Sequence, residues 1–338
     1  MIKGNKPGTK DRVVGHLGDW AALTDKQRYE GWITGQTRRT NKHPPNPRSL
    51  DPKLVRELTY RPLDTRWIYD SAQWVDWWRE DLHDALRTQP NWALVTIPHD
   101  HGRGPAAIIT DKLMDQHAFR GSDGGNGVWL QWRPHSIGSH ADPRAIVGSK
   151  RAGLSSAVLD WLDRLGRGSR VDEAFCYITA VLNAPSYTER FWKAIEVDDL
   201  RVPLTNNPQE FDVLAGLGGL CREAWLSLRD SKPGLAWKGN GAGSLGKAEH
   251  AQIVEEGTKT RVPAAVFANG RHIQGVTKAM WHFEVSGYRV LPRWFAARSH
   301  WILTGTNSLQ ALRTVIAVSD LIDLQPQLDK ALERLLTP

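Results

Sequence analysis

The sequence predicts a mixed α/β (α+β) protein in which β-rich lobes surround a helical scaffold. Three observations predict it. Apolar residues recur at helical spacing in the middle and at the end of the chain. Bulky β-formers cluster in short runs between turn signals elsewhere. At 338 residues the chain is long enough to bury a large core.

The helical middle runs from Glu173 to Leu204. Phe175, Ile178, Thr179 and Leu182 predict an amphipathic helix from Glu173 to Asn183. Pro185 ends it, and Ser186 caps a second helix, Tyr187 to Ile195, with Glu189 as capping-box partner. A short extended run, Leu200 to Leu204, follows. Gly153 to Leu165 predicts a helix before this unit and Pro208 to Leu228 one after it. In the latter, Gly216, Gly218 and Gly219 each cost roughly 1 kcal/mol relative to Ala unless helices pack closely there. Ser308 to Ile322 and Gln325 to Leu336 close the chain as two helices.

Residues 1–56 are polar, basic and broken by Gly and Pro, and read as a partly flexible arm. Gly35 to Pro47 has no apolar face to bury and is expected to be mobile without a partner. Asp51 and Pro52 predict a short helix, Lys53 to Leu58. Tyr60 to Tyr69 reads as a turn into a strand, with Arg61, Asp64 and Arg66 as an internal ion pair fixing the turn. Ala72 to Leu86 is helical through Trp74, Trp78 and Leu82. Trp92 to Ile97, Ala106 to Thr110 and Val128 to Trp132 predict strands, the last after a turn at Gly121 to Gly127. Ile137 to Ser149 reads as a loop. Strands resume at Ala251 to Val254 and Val262 to Ala268. Asn269-Gly270 turns the chain into Arg271 to Val276, the clearest hairpin in the sequence. Trp281 to Val285 and Tyr288 to Leu291 continue the β pattern, and Pro292 to Arg298 is a short helix.

The net charge is +7, and it is unevenly distributed. Residues 1–60 hold 12 Lys+Arg against 6 Asp+Glu, and residues 231–305 hold 10 against 4. Residues 171–230 hold 5 against 10. Two basic segments flanking an acidic middle suit a polyanionic partner, and suit an ordinary arginine-rich surface as well. No apolar run is long enough to span a membrane, and Met1 to Lys6 lacks the apolar core of a signal peptide. Cys176 and Cys221 make neither a disulfide framework nor a zinc site, so the cytoplasm is the expected compartment.

Motifs for chemistry are few. Gly241 to Ala248 nearly spells a phosphate-binding loop, but Ala248 stands where Ser or Thr must hold magnesium, and no buried strand precedes it. A flexible loop is the alternative. His99 and His101 are two candidate ligands close together, but no further metal-ligand cluster stands nearby in sequence. Pro44-Pro45-Asn46 reverses the order of the motif that holds an extruded base in amino-methyltransferases. Neither a nuclease core nor a helicase motif set is recognisable, and Gly-x-Ser-x-Gly does not occur.

A reader of duplex DNA would need cations for phosphates and a few polar side chains for base edges. Lys238, Asn240 and Lys247 on a glycine-rich loop suit the phosphates. Asn269, Arg271, His272 and Gln274 on or beside the hairpin suit the base edges. Arg289, Arg293 and Arg298 lie close behind. Solvation of a hairpin tip explains each residue equally well.

Three blocks of sequence carry a resemblance. Tyr177, Ala180, Val181, Leu182, Pro185 and Tyr187, followed by Arg201-Val-Pro-Leu204, resemble YxYAVLxxPxY and PRIPL in the C-terminal specificity region of type ISP restriction–modification enzymes. Tyr60 to Tyr69 is similar to that family's YRPFDxRWIYY. Trp281 to Leu291, with Trp294 and Arg298, is similar to WxFxIGGYxVLxxWLxxR. Leu63 replaces the family's Phe, and Ser286 replaces its first Gly. The resemblance implies a target-recognition domain at 57–305, between the 1–56 arm and C-terminal helices at 306–338. Structural roles for Arg61, Asp64, Arg66, Tyr187, Pro203, Trp281, Gly287, Tyr288 and Trp294 follow from it. It also implies that the chain selects a double-stranded DNA site for a methyltransferase and translocating nuclease on a partner or parent polypeptide, with no cofactor or metal of its own. A non-catalytic interaction scaffold that keeps the fold and uses its 16 Trp at an interface is the alternative. An enzyme built around His99 and His101 is a further one.

Overall fold

The computed structural model describes residues 14–15, 51–70, 80–87, 90–97, 102–115, 117–119, 127–134, 142–168, 170–197, 200–226 and 229–337. The expectations for Gly35 to Pro47, Trp74, Trp78, His99, His101 and the turn ahead of Gly127 fall outside the described residues.

In chain order the strands are β1 (Val14–Gly15), β2 (Val55–Arg61), β3 (Asp64–Tyr69), β4 (Ala93–Thr96), β5 (Ala107–Thr110), β6 (Leu113–Met114), β7 (Gly127–Leu130) and β8 (Trp132–Pro134). They continue as β9 (Ile146–Val147), β10 (Lys150–Ala152), β11 (Ala236–Lys238), β12 (Ala248–Val254), β13 (Arg261–Phe267), β14 (His272–Gln274), β15 (Glu284–Val285) and β16 (Tyr288–Arg289). The helices are α1 (Glu80–Arg87), α2 (Ser156–Arg164), α3 (Val171–Asn183), α4 (Pro185–Val197), α5 (Pro208–Trp225), α6 (Lys278–Trp281), α7 (Val290–Ala296) and α8 (Gly305–Leu336). The strands form small separate sheets, ordered β1-β3-β2-β6, β5-β4-β7, β8-β10-β9, β11-β14-β13-β12 and β15-β16. This is the mixed α/β arrangement that the sequence predicts.

Helix α3 is the centre. It is buried on every side from Ala174 to Asn183, so it is a core helix and not the amphipathic one that its spacing suggests. Trp161, Tyr177 and Phe211 form one aromatic cluster, with Tyr177 and Phe211 stacked at 5.6 Å between ring centres. The backbone of α5 presses directly on α3: a Cβ at Gly218 would lie 1.8 Å from the Cys176 carbonyl oxygen, whereas Gly216 and Gly219 face open space.

The motif tyrosines fasten an extended segment. The Tyr177 hydroxyl donates to the Pro203 carbonyl at 2.8 Å and accepts from the Thr205 amide at 3.1 Å. The Tyr187 hydroxyl donates to the Arg201 carbonyl at 2.7 Å. The segment from Arg201 to Thr205 joins no sheet, so these hydroxyls take the place of a ladder. Burial pushes both phenols up, Tyr187 to about 12, and they remain neutral donors.

Several local expectations differ from the structure. Pro185 is the first residue of α4, where its missing amide hydrogen costs nothing and its φ is already helical. Ser186 therefore does not cap that helix; its amide and hydroxyl both donate to Asp329 of α8, at 2.9 and 2.6 Å. Asp51 accepts from the Lys53 amide as a cap should, but the helix lasts one 3-10 turn, Pro52–Leu54, before strand pairing with β3 takes over. Ile146 and Val147 pair with β10 where a loop is expected. Lys278–Trp281 is a helical turn capped by Thr277, so the β pattern begins only at Glu284. The two C-terminal helices are one, with Pro326 inside it.

Candidate nucleic-acid interface

Two of the motif blocks meet in a buried charged node. The turn between β2 and β3 places Leu63 at φ 57° and Asp64 at 2% exposure. Asp64 accepts from Arg66 at 2.9 Å and from Arg298, which follows α7. Arg298 is fully buried and lies 3.8 Å over the Trp294 ring. Trp294 donates its indole N–H to the Leu63 carbonyl at 3.0 Å. Tyr60 stacks under both Arg66 and Arg61, at 3.6 and 4.0 Å. Burial would raise the Asp64 carboxyl, but the guanidiniums of Arg298 and Arg66 outweigh it and hold Asp64 down at about 2. Burial also pulls Arg298 down against the attraction of Asp64; a guanidinium starts so high that it stays protonated.

The expected turn-fixing pair is therefore Asp64 with Arg66, while Arg61 turns instead to Asp115 at 3.5 Å. Arg298 belongs to this node and is not available as a surface contact. Its four-residue spacing from Trp294, which places both on one helical side, is the signal that could have assigned it.

The β15–β16 hairpin docks onto the segment after residue 101. The Ser286 amide donates to the Pro105 carbonyl and the Gly287 amide to the Arg103 carbonyl, both at 3.0 Å. Ser286 and Gly287 have φ 46° and 73°, and a Cβ on Gly102 would lie 2.3 Å from the Gly287 Cα. Ser286 thus tolerates the strained position that the family's pattern gives to glycine, with its hydroxyl on the Pro105 carbonyl. Trp281, Tyr288 and Trp294 are buried beside it. Gly287→Val adds a β-branched side chain at positive φ and is expected to destabilise the protein by about 1–3 kcal/mol. Urea denaturation monitored by Trp fluorescence measures it, and a midpoint equal to the parent's would contradict it.

The polar candidates sort into two groups. Six of them surround one end of the β11-β14-β13-β12 sheet. Lys238 pairs in register with His272, and the Ala268 amide donates to the Lys247 carbonyl, so the ends of all four strands converge. The loop after Lys238 packs on the Asn269-Gly270 turn: a Cβ at Gly241 would stand 2.0 Å from the Asn269 carbonyl oxygen. Lys238, Asn240 and Lys247 are exposed; Asn269, Arg271 and His272 are half-buried. The Asn269 side chain accepts from the Arg271 amide at 3.2 Å, which fixes the turn. Lys247 and Glu249 pair at 2.7 Å with both side chains in solvent, a weak contact that leaves the cation free to move. Burial and then the Lys238 charge hold His272 below its ordinary value, so it is neutral at pH 7.

In the second group, Gln274 and Arg289 are already engaged. Gln274 donates its amide to Glu255 at 3.1 Å. Arg289 donates to the His282 ring and faces Glu284 at 3.8 Å. Arg293 is exposed, 5.0 Å from the Tyr288 ring centre. The glycine-rich stretch before Lys247 leads into β12 and not into a helix, which removes the phosphate-loop reading. It is anchored, because the Leu245 and Gly246 amides donate to the Trp301 and Ser299 carbonyls. Among the described residues no group of three or more His, Cys, Asp or Glu could hold a metal ion, and no helix is long and apolar enough to cross a membrane.

A model of the Type ISP C-terminal specificity domain matches residues 17–311. The chain belongs to the Type ISP C-terminal specificity domain family. Solved structures agree in fold. An ATP-dependent Type ISP restriction–modification enzyme, LlaBIII, bound to DNA, is similar at a TM-score of 0.60 and 14% identity over 90% of this chain. A nuclease-deletion mutant of the Type ISP enzyme LlaGI in complex with a DNA substrate mimic gives 0.58 and 13% over 90%. A DrdV–DNA complex gives 0.60 and 14%, again over 90%. This specificity-domain chain spans 19%, 24% and 32% of those three proteins. No curated protein matches the chain in sequence.

Proposed function

We propose that this specificity-domain chain reads double-stranded DNA by sequence and contributes no chemistry of its own. Methyl transfer, translocation and cleavage then belong to a partner or parent polypeptide that it directs to a site. One observation supports the proposal: in a chain of this family, the end of the β11-β14-β13-β12 sheet gathers Lys238, Lys247 and Arg271 beside Asn240 and Asn269. Mobile lysines suit phosphates. A guanidinium fork and amides on a fixed turn suit base edges in the major groove.

Binding of labelled duplexes across a salt series tests this. Affinity is expected to fall with salt at a log–log slope of roughly −0.9 per phosphate contacted. Lys238→Ala and Lys247→Ala are expected to weaken all duplexes alike and flatten that slope. Arg271→Ala is expected to cost roughly 1–3 kcal/mol on the preferred sequence and much less on random DNA. Gln274→Ala, whose amide is held by Glu255, is expected to leave the preference unchanged. Absence of duplex binding at low salt would favour the interaction scaffold instead.

A further inference from the structure

Far from that sheet end in sequence, β8 and β10 place Arg133 directly opposite Arg151 on one side of the β8-β10-β9 sheet. Like charges directly opposed across a strand pair weaken it. Neither arginine has an ion-pair or hydrogen-bond partner for its side chain among the described residues. Acidic groups are close by in sequence, yet they serve other residues. Asp142, Asp160 and Asp163 all converge on Arg144 at 2.6–2.7 Å. Asp172 accepts from Gln131, next to β8. Lys150 adds a third cation on the same strands, held 4.5 Å over the Trp132 ring. Arg133 and Arg151 are half-buried, so their stems are packed while their charge has no counter-ion among the described residues.

We infer that Arg133 and Arg151 bind phosphates of the DNA backbone, as a second contact surface apart from the β11-β14-β13-β12 sheet end. Two planar forks side by side match phosphodiester oxygens better than two ammonium groups do. A backbone contact of this kind positions the duplex and carries no sequence information. The inference rests on the reading of the chain as a DNA-binding specificity domain.

The test is the double variant Arg133→Gln/Arg151→Gln in the full chain. Removing opposed like charges is expected to leave its melting temperature, in low salt, at or above the parent's. Its log–log salt slope for duplex binding is expected to be shallower than the parent's by about 0.9 for each phosphate that the variant no longer neutralises. The ratio of affinities for preferred and random sequence should stay as in the parent. If the parent binds duplex and the variant's affinity and slope equal the parent's, the inference is overturned while the DNA-reading proposal stands. If the variant changes the sequence ratio instead, the pair reads bases and the inference is equally overturned. If the parent itself binds no duplex, the underlying proposal falls, and this surface falls with it.

Discussion

Asp64→Asn is expected to destabilise the protein by about 3–5 kcal/mol, a loss typical of removing one partner from a buried ion pair. The substitution keeps the shape and removes the charge. It leaves Arg298 and Arg66 buried without the carboxylate that both address. The loss should appear as a lower urea midpoint, because the β2–β3 turn is no longer fastened to the region of α7. Acid titration gives a second readout. The folded carboxyl sits at about 2, below its ordinary 3.8. Its contribution, roughly 2 kcal/mol, is complete above the unfolded value and is lost as pH falls from there through about 2. The parent should lose stability across that window more steeply than Asp64→Asn does. Equal midpoints at neutral pH would show that the node does not fasten the two blocks.

Gly218→Ala and Gly216→Ala should have opposite signs although the chemistry is the same. At Gly218 the new Cβ meets the Cys176 carbonyl oxygen at 1.8 Å, and that oxygen is backbone in a buried helix, so α3 and α5 must separate. A loss of about 2–3 kcal/mol is expected, in the upper range of overpacking costs. At Gly216 nothing lies within 4 Å, so the better helix former should raise stability by about 0.5–1 kcal/mol. Thermal denaturation of the two variants side by side checks both. Destabilisation at Gly216, or none at Gly218, would contradict the packing described.

Much of the frame is legible in the sequence because local signals and tertiary packing agree there. The Asn269-Gly270 turn, the helix from Pro208 and the core strands at β4 and β5 are such places. Disagreement has physical causes. Pro326 reads as a helix boundary, yet Leu321, Leu324, Leu328 and Leu332 keep one buried stripe across it, and that packing outweighs the lost hydrogen bond. Val55 and Leu58 lie in a predicted helix but pair with β3, because a short helix with no buried stripe cannot compete with a ladder. At the candidate interface, residue type picks out Arg271 and Gln274 alike. Only the fold shows that the Gln274 amide is occupied and that Arg298 is a buried fastener. Arg133 and Arg151 escape a sequence reading altogether, since a strand register between separate segments brings them together.

The most direct test of the central claim is selection of duplexes from a random library by the purified chain, followed by sequencing of those retained. Reading of base edges predicts enrichment of one short sequence, with enrichment reduced for Arg271→Ala and kept for Lys238→Ala. Retention of duplexes with no sequence enriched, or no retention even at low salt, would contradict the claim.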